Sequence, residues 1–311
     1  MSNLLELDVD PVLAERLNSA SARRRFFPFS DDVIDWSVPL TDEWSYMPIE
    51  HSVFAGSSIL EGLSAADRAF VERWEMTQLM RNIGHGEHLL NQGIMSMLWI
   101  TDPLDPSYRY LLHEVAEECQ HMAMFNHWVR INDDIVSAGV DEAEWGQPAA
   151  AATEVMAQEL PEAFWVRVLL FEFVGDDLNQ SMRLGAAGGL HPILVQIGKV
   201  HTAEEARHIS YARSWLENGM AKLTEEQRAE VQRTTKENAQ PLIDRKALLP
   251  VRWSEQLSPF MSEADFKHAR SESHARVRVM GQLKQLLDEF EEIGAIDSAT
   301  MRTWENEGVF G

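Results

Sequence analysis

The sequence predicts an all-α protein built on a four-helix bundle. Helical signals recur along most of its 311 residues, and strand signals are sparse. The strongest observation is a pattern of carboxylates and histidines that occurs twice. Each copy has a lone glutamate followed by a Glu-x-x-His element, and the members are Glu87 with Glu118 and His121, then Glu172 with Glu205 and His208.

The spacing within the two copies is nearly the same. Glu118 follows Glu87 by 31 residues, Glu205 follows Glu172 by 33, and the two Glu-x-x-His elements are 87 residues apart. Residues three apart on a helix share a face, so each Glu-x-x-His pair can project into the core of a bundle. A four-helix bundle that holds two metal ions needs this doubled set.

Turn and capping signals place the elements of the first half. Residues 1–60 contain Pro28, Pro39 and Pro48, which predict an irregular arm without a core of its own. A long helix is expected to start near Ser64, to carry Glu87 and to end before residues 102–106, where two Asp-Pro pairs occur. The next helix is predicted over residues 107–131.

The second half is read in the same way. A third helical segment is expected over residues 152–184, with a restart at Pro161, followed by a turn over residues 185–192. A fourth helix then runs to Asn218, with Gly219 as its stop signal.

Beyond the bundle, Thr224 starts a capping-box signature, and residues 262–292 predict one long charged amphipathic helix. We therefore expect residues 1–311 to form a single domain. Its parts are an arm over residues 1–60, a metal-binding bundle over residues 62–220 and accessory helices over residues 221–311.

His201 adds a third imidazole to the pattern. It stands four residues before Glu205 and seven before His208, on one helical stripe, which raises the number of candidate ligands to seven. The equivalent position in the first copy is Glu114. That carboxylate is predicted either to hydrogen-bond a ligating histidine or to be an extra ligand.

The lone glutamates need separate arguments. Glu72 and Glu75 lie upstream of Glu87, but they would leave 46 or 43 residues before Glu118, so Glu87 matches the second copy best. With 50 acidic residues in the chain, Glu-His pairs could also be solvated helix faces. Glu172, however, lies within the apolar segment 164–174, where burial without a strong partner would be costly.

At these residues the chain resembles the p-aminobenzoate N-oxygenase family, di-iron arylamine oxygenases of the ferritin-like superfamily with a third histidine ligand. The resemblance covers residues 62–220. It implies two iron ions, bridged by oxygen or peroxide, although manganese or a mixed manganese/iron pair suits the same ligands. One iron would be held by Glu87, Glu118 and His121, and the other by Glu172, His201 and His208, with Glu205 bridging.

The resemblance also implies the reaction. Dioxygen would oxidise an amine nitrogen, from the arylamine to a hydroxylamine, nitroso or nitro product, with no catalytic side chain beyond the metal ligands. The sequence has no glycine-rich phosphate loop, so an external electron donor is expected. By analogy with the family, we expect a homodimer.

Three other functions share parts of the pattern. A ferritin-like ferroxidase or iron-binding protein would have a shorter chain and no counterpart of His201. A ribonucleotide reductase small subunit would place a tyrosine where this chain has Phe125. A di-iron oxidase or hydroxylase acting on carbon could use the same ligands, and the sequence does not separate it from an N-oxygenase.

The composition of the chain excludes some classes of binding partner and indicates a cellular compartment. A net charge of −23 argues against binding to nucleic acid or to an anionic membrane. The single cysteine, Cys119, excludes an intramolecular disulfide and suits a reducing compartment. The amino-terminal residues do not resemble a signal peptide, and no apolar run is long enough to span a membrane. These features predict a cytoplasmic protein.

Overall fold

The computed structural model describes residue 5 and residues 7–135, 147–244 and 251–310. These residues contain ten α-helices and no β-strand, so the all-α prediction is confirmed. The helices are α1 (Pro11–Arg23), α2 (Ala65–Leu98), α3 (Pro106–Ile131), α4 (Gln147–Glu159), α5 (Pro161–Leu184), α6 (Pro192–Gly219), α7 (Glu225–Ile243), α8 (Glu263–Glu272), α9 (Ala275–Ile293) and α10 (Ser298–Asn306).

The four longest helices form the bundle. α2 packs along α3, α5 packs along α6, and α4 covers α2. Helix α1 crosses α3 and α6, while α7 and α9 lie against α5 on the outside. No helix among the described residues is both long enough and apolar enough to cross a membrane.

Local chemistry explains where the bundle helices begin. The Ser64 hydroxyl accepts a hydrogen bond from the Asp67 backbone N–H at the start of α2, and Asp105 caps α3 in the same way. Helices α3, α5 and α6 each have proline at the first position, where no helical N–H is needed. The expected restart at Pro161 is confirmed, because the predicted third segment is divided into α4 and α5.

Two apolar clusters fill the two ends of the bundle. The first cluster joins the end of α2 and the start of α3 to the start of α5 and the end of α6, and includes Leu90, Ile94, Tyr110, Leu169, Tyr211 and Trp215. The second cluster occupies the other end, and includes Trp74, Leu79, Met124, Trp128, Leu178 and Ile197. The metal-ligand candidates lie between the clusters, in the middle of each helix.

The amino-terminal arm is not irregular throughout, because it contains α1. Further along, α2 fixes the arm through two buried carboxylates. Glu72 accepts hydrogen bonds from the Tyr46 backbone N–H at 2.8 Å and from a serine hydroxyl. Glu75 accepts from the Val53 backbone N–H at 2.6 Å and from the Ser52 hydroxyl at 2.7 Å.

The prediction of one helix over residues 262–292 is wrong, because the chain breaks between α8 and α9 at Ser273. The Ser273 hydroxyl donates to the Ser52 carbonyl at 2.8 Å, and the His274 N–H donates to the Ala55 carbonyl at 3.0 Å. These bonds to the arm replace helical ones, so a tertiary contact overrides a continuous helical pattern. The capping box at Thr224 is confirmed. The division into arm, bundle and accessory helices stays a prediction.

Candidate metal centre

All seven predicted ligands lie together in the middle of the bundle, and each is buried. Every bundle helix contributes at least one of them. Helix α2 supplies Glu87, α3 supplies Glu118 and His121, α5 supplies Glu172, and α6 supplies His201, Glu205 and His208.

The ligand atoms form three overlapping groups, and within each group they lie within 4.8 Å of one another. The groups are Glu87 with His121, His201 and Glu205; Glu118 with Glu205 and His208; and Glu87 with Glu118 and Glu172. Glu87, Glu118 and Glu205 each belong to two groups, so any of the three suits a bridging carboxylate, and the bridging role of Glu205 stays a prediction. The groups place His201 beside His121 and Glu87, so the division of ligands between two irons stays a prediction.

Two carboxylates connect the imidazoles across α3 and α6. Glu118 lies with one oxygen 2.8 Å from Nδ1 of His121 and the other 2.6 Å from Nδ1 of His208. Glu205 repeats this arrangement, at 3.2 Å from Nδ1 of His121 and 3.1 Å from Nδ1 of His208, and it also lies 3.2 Å from Nε2 of His201. Each carboxylate therefore faces imidazoles from both helices.

The donor set fits metal ions. Two buried carboxylate oxygens, Oε2 of Glu87 and Oε1 of Glu172, have no hydrogen-bond partner among the described residues. A buried carboxylate oxygen without a partner is costly, and a cation supplies the missing interaction. Oxygen and imidazole donors without thiolate suit iron or manganese.

In the metal-free protein, the pKa values of the four carboxyl groups are shifted from their ordinary values. Burial raises the pKa of Glu87 and of Glu172 well above the ordinary value, and neighbouring carboxylates add to this effect. Burial also opposes ionisation of Glu118 and Glu205, but the adjacent imidazoles outweigh it and lower both pKa values. The pKa values of the two pairs of carboxyl groups are therefore shifted in opposite directions.

The histidines divide in the same way. Burial lowers the pKa of His201 to about 4, which keeps this ring neutral. For His121 and His208 burial acts in the same direction, but the nearby carboxylates outweigh it and raise their pKa values well above the ordinary one. Bound metal ions would have to displace the protons on these two rings.

Two glutamates that precede ligand candidates in the sequence contact Nε2 of His121 and of His208, the ring nitrogens that face away from Glu118 and Glu205. Nε2 of His121 lies 2.9 Å from Glu204, and Nε2 of His208 lies 3.0 Å from Glu117. The Arg207 guanidinium lies 2.8 Å from Glu117 and 3.8 Å from Glu204. Such partners orient a ligating imidazole and fix its tautomer.

Glu117 and Glu204 are not among the predicted site residues, although the sequence contains a signal for them. Glu117 precedes Glu118, Glu204 precedes Glu205, and the two doublets share the 87-residue offset of the Glu-x-x-His elements. Adjacent residues on a helix point about 100° apart, so the second glutamate of each doublet can face the centre while the first lies beside it.

His201 has a different outer partner. The side-chain amide of Asn179, on α5, lies within hydrogen-bonding distance of Nδ1 of His201. The structure has Nδ2 of Asn179 at this contact. Metal binding through Nε2 of His201 puts the ring proton on Nδ1, and the Asn179 amide accepts that proton when it is turned over to present its oxygen. The third histidine therefore has a neutral partner where the other two have carboxylates.

Glu114 is fully buried on the same helix as Glu118, and neither of its carboxylate oxygens has a hydrogen-bond partner among the described residues. Burial raises the pKa of Glu114 to about 8, and the charge of His208 acts against this shift. The predicted role of Glu114, either as an extra ligand or as a partner of a ligating histidine, stays a prediction.

Phe125 forms an apolar wall of the centre. Its ring centroid is 5.1 Å from that of His201 and 6.4 Å from that of His121. Glu72 and Glu75, the alternatives to Glu87, bind the arm and belong to none of the three groups. Cys119, next to Glu118 in sequence, faces solvent.

Comparisons with known proteins identify one family and several uncharacterized relatives. A sequence model of the family described as "P-aminobenzoate N-oxygenase AurF" matches residues 9–294. The uncharacterized proteins Mb0909 of Mycobacterium bovis and Rv0885 of Mycobacterium tuberculosis are each 31% identical to the chain over 217 residues. The aligned part covers 68% of the chain and 62% of each relative, so the chain spans less than two thirds of their length. No solved structure matches the chain.

Proposed function

The chain belongs to the p-aminobenzoate N-oxygenase AurF family, and we propose on that premise that it is a di-iron oxygenase that oxidises the nitrogen of an aromatic or other amine. The observation that carries the proposal is the buried set of four carboxylates and three imidazoles between two apolar clusters. The carboxylates are Glu87, Glu118, Glu172 and Glu205, and the imidazoles are His121, His201 and His208.

The reaction needs electrons from outside the chain. Insertion of one oxygen atom into an amine N–H bond gives a hydroxylamine, and the second oxygen atom leaves as water with two electrons and two protons. A ferrous pair held by the four carboxylates and three imidazoles would supply electrons for the reduction of dioxygen. We propose an external electron donor that restores the ferrous state.

The side chains around the centre would orient the ligands. Glu204 and Glu117 would accept the Nε2–H groups of His121 and His208, which directs both Nδ1 atoms toward Glu118 and Glu205, where a bound metal would replace the Nδ1 protons. His201 lies one turn before Glu205 on α6 and offers its other nitrogen, Nε2.

The apolar surroundings keep water away from the candidate metal centre. The two apolar clusters and Phe125 separate the centre from solvent along the bundle axis. A dry site strengthens the interaction of the carboxylates with bound cations.

Metal content and product analysis test the proposal. The purified protein should bind two irons per chain. After anaerobic reduction and exposure to labelled dioxygen with p-aminobenzoate, mass spectrometry should find labelled oxygen on the amine nitrogen. Glu172→Gln should lower iron content and product together. Glu75→Gln is the matched control, because Glu75 is equally buried but binds the arm.

Other results of these experiments would favour one of the alternative functions. Iron-loaded protein that consumes dioxygen without amine oxidation, and that hydroxylates a carbon substrate, would move the function to carbon chemistry. Iron deposited in a large cage would indicate a ferroxidase. Absence of bound transition metal would reject all three functions. The expected homodimer stays a proposal that light scattering can test, and the cytoplasmic location stays a proposal from the sequence.

A further inference from the structure

Four buried aromatic rings form a column in the apolar cluster at one end of the bundle. The ring centroids of Tyr110 and Tyr211 are 4.7 Å apart, those of Tyr211 and Trp165 are 5.4 Å apart, and those of Trp165 and Trp215 are 5.8 Å apart. Rings at these separations are close neighbours in a packed core. None of the four side chains has exposed surface.

The tyrosine end of the column lies beside the metal centre. Tyr110 precedes Glu114 by one turn of α3, and Glu114 precedes Glu118 by one further turn, so the three share a face. On α6, Tyr211 follows His208 by three residues. Burial raises the pKa of Tyr110 well above its ordinary value, and the charges of Glu114 and His208 also act on this phenol.

Polar atoms in this column are buried without partners. The Tyr110 hydroxyl, the Trp165 indole N–H and both oxygens of Glu114 have no hydrogen-bond partner among the described residues. Such groups cost free energy that phenylalanine or leucine would avoid, so their presence calls for a chemical explanation or bound water.

The tryptophan end of the column approaches the surface. The Trp215 indole N–H lies 3.4 Å from Oε1 of Glu162. The charges of Asp8 and Lys222 act on Glu162, and these two residues form an ion pair in which Lys222 is exposed. Trp215 therefore contacts Glu162, a side chain that is 5% exposed.

We propose that Tyr110, Tyr211, Trp165 and Trp215 form a redox relay that carries an oxidising equivalent from the metal centre toward the surface when no amine consumes it. The relay rests on the proposed function, which supplies the oxidant through the reaction of bound iron with dioxygen. Neutral phenols and indoles give up electrons only to strong oxidants. The column is therefore suited to exporting an oxidising equivalent, and poorly suited to delivering electrons from a mild donor.

Electrons and protons balance along the column. Tyr110 gives up one electron, and a bridging water would carry its phenolic proton to Glu114, whose pKa of about 8 leaves this carboxylate mostly ionised only above that pH. Tyr211 then reduces Tyr110, Trp165 reduces Tyr211, and Trp215 reduces Trp165. Tyr110 regains its proton from Glu114. Trp215 ends one electron short, with its indole proton on Glu162. A soluble thiolate returns the electron, and Glu162 returns the proton.

The first experiment uses the iron-loaded protein without amine. After reaction with dioxygen and rapid freezing, electron paramagnetic resonance should detect a tyrosine or tryptophan radical. Mass spectrometry should locate oxygen adducts on Trp215. Tyr110→Phe and Trp165→Phe should lose the Trp215 adduct and move oxidation to the helices that carry the ligands. Tyr46→Phe is the matched control, because Tyr46 is equally buried but hydrogen-bonds the Thr41 carbonyl.

A photochemical experiment separates the relay from the proposed function. In metal-free protein, a ruthenium photosensitiser with persulfate should oxidise Trp215, and the radical should reach Tyr110 in the wild type but not in Trp165→Phe. Failure of this transfer would overturn the relay whatever metal the protein binds. Successful transfer in a protein that binds no iron would support the path and reject the proposed oxidant.

One further outcome tests whether the column carries an oxidising equivalent away from the metal centre. If iron-loaded Tyr110→Phe consumes dioxygen and retains the full Trp215 adduct, the exporting role is overturned. Circular dichroism and iron content confirm that each variant folds. Should Tyr110→Phe fail to fold, Tyr211→Phe tests the same step, because it removes the second phenol and keeps the ring.

Discussion

Glu117 on α3 holds His208 on α6, with 3.0 Å between its Oε2 and the Nε2 of the ring. The same contact occurs in the opposite direction, because Oε2 of Glu204 on α6 lies 2.9 Å from Nε2 of His121 on α3. Arg207 contacts both glutamates and ties the two pairs together. Each of these helices therefore orients a candidate ligand on the other.

We expect Glu117→Gln to weaken metal binding by roughly 10- to 100-fold, the usual effect of losing a partner that orients a ligating histidine. The amide still reaches His208, but it loses the charge that Arg207 and the imidazole share. Competition with a metal chelator measures the change. Glu15→Gln, which removes an exposed ion pair with Arg109, is the control. Equal affinities in both variants would contradict the role of Glu117.

Asn179→Leu should weaken binding at the position that His201 serves. When a metal binds Nε2 of His201, the proton lies on Nδ1, and the substitution removes the amide whose oxygen can accept it. A buried donor without a partner costs about 1–3 kcal/mol. Asn179→Asp should restore an acceptor and rescue binding. Iron stoichiometry together with Mössbauer spectroscopy distinguishes loss of one ion from loss of both. Full occupancy and an unchanged spectrum in Asn179→Leu would show that Asn179 does not position His201.

Metal binding should release protons and tighten as pH rises. In the metal-free protein, burial raises the pKa of Glu87 and Glu172, and carboxylates overcome burial to raise the pKa of His121 and His208. Groups with raised pKa values hold protons near neutral pH, and a metal must displace them. Titration calorimetry in two buffers of different ionisation enthalpy counts the released protons. Affinity that does not change with pH would contradict this assignment.

Glu75→Gln should increasingly stabilise the metal-free protein as pH rises. Burial raises the pKa of Glu75 to about 8. Its contribution to stability is fully present below the unfolded value, near 4.5, and is lost as pH rises to about 8. The free energy of unfolding of the variant should gain about 1.4 kcal/mol per pH unit over the wild type in that interval. Urea unfolding across pH measures this difference, with the exposed Glu61→Gln as control. Parallel curves for Glu75→Gln and wild type would contradict the prediction.

Gly198→Ala should separate α5 from α6 near His201. A Cβ at Gly198 would lie 2.6 Å from the Arg183 backbone nitrogen and 2.7 Å from the Asn179 carbonyl oxygen. Backbone atoms cannot move aside cheaply, so we expect a loss of about 1–3 kcal/mol in unfolding free energy. Metal content should also fall.

Gly281→Ala is the matched control for that variant. A Cβ at this helical position would meet nothing within 4 Å, so alanine should stabilise the protein by up to about 1 kcal/mol. Denaturant unfolding compares the two variants. A neutral Gly198→Ala would show that the two helices can separate there without cost.

The sequence by itself determined the all-α class and the candidate ligands. The Glu-x-x-His pairs and His201 share helix faces because of the helical period, and the repeated spacing selected Glu87 over Glu72 and Glu75. The structure places Glu87 in the ligand groups, while Glu72 and Glu75 bind the arm. That these residues ligate metal remains to be tested by the experiments above.

Only the tertiary structure decided what lies between elements that are distant in sequence. Asn179 reaches His201 because α5 and α6 touch at Gly198, and the break at Ser273 exists because the arm offers it hydrogen bonds. The aromatic column likewise joins rings from three helices. A period along one helix specifies which side chains share a face. It does not specify which partner meets that face, because that depends on how separate helices pack.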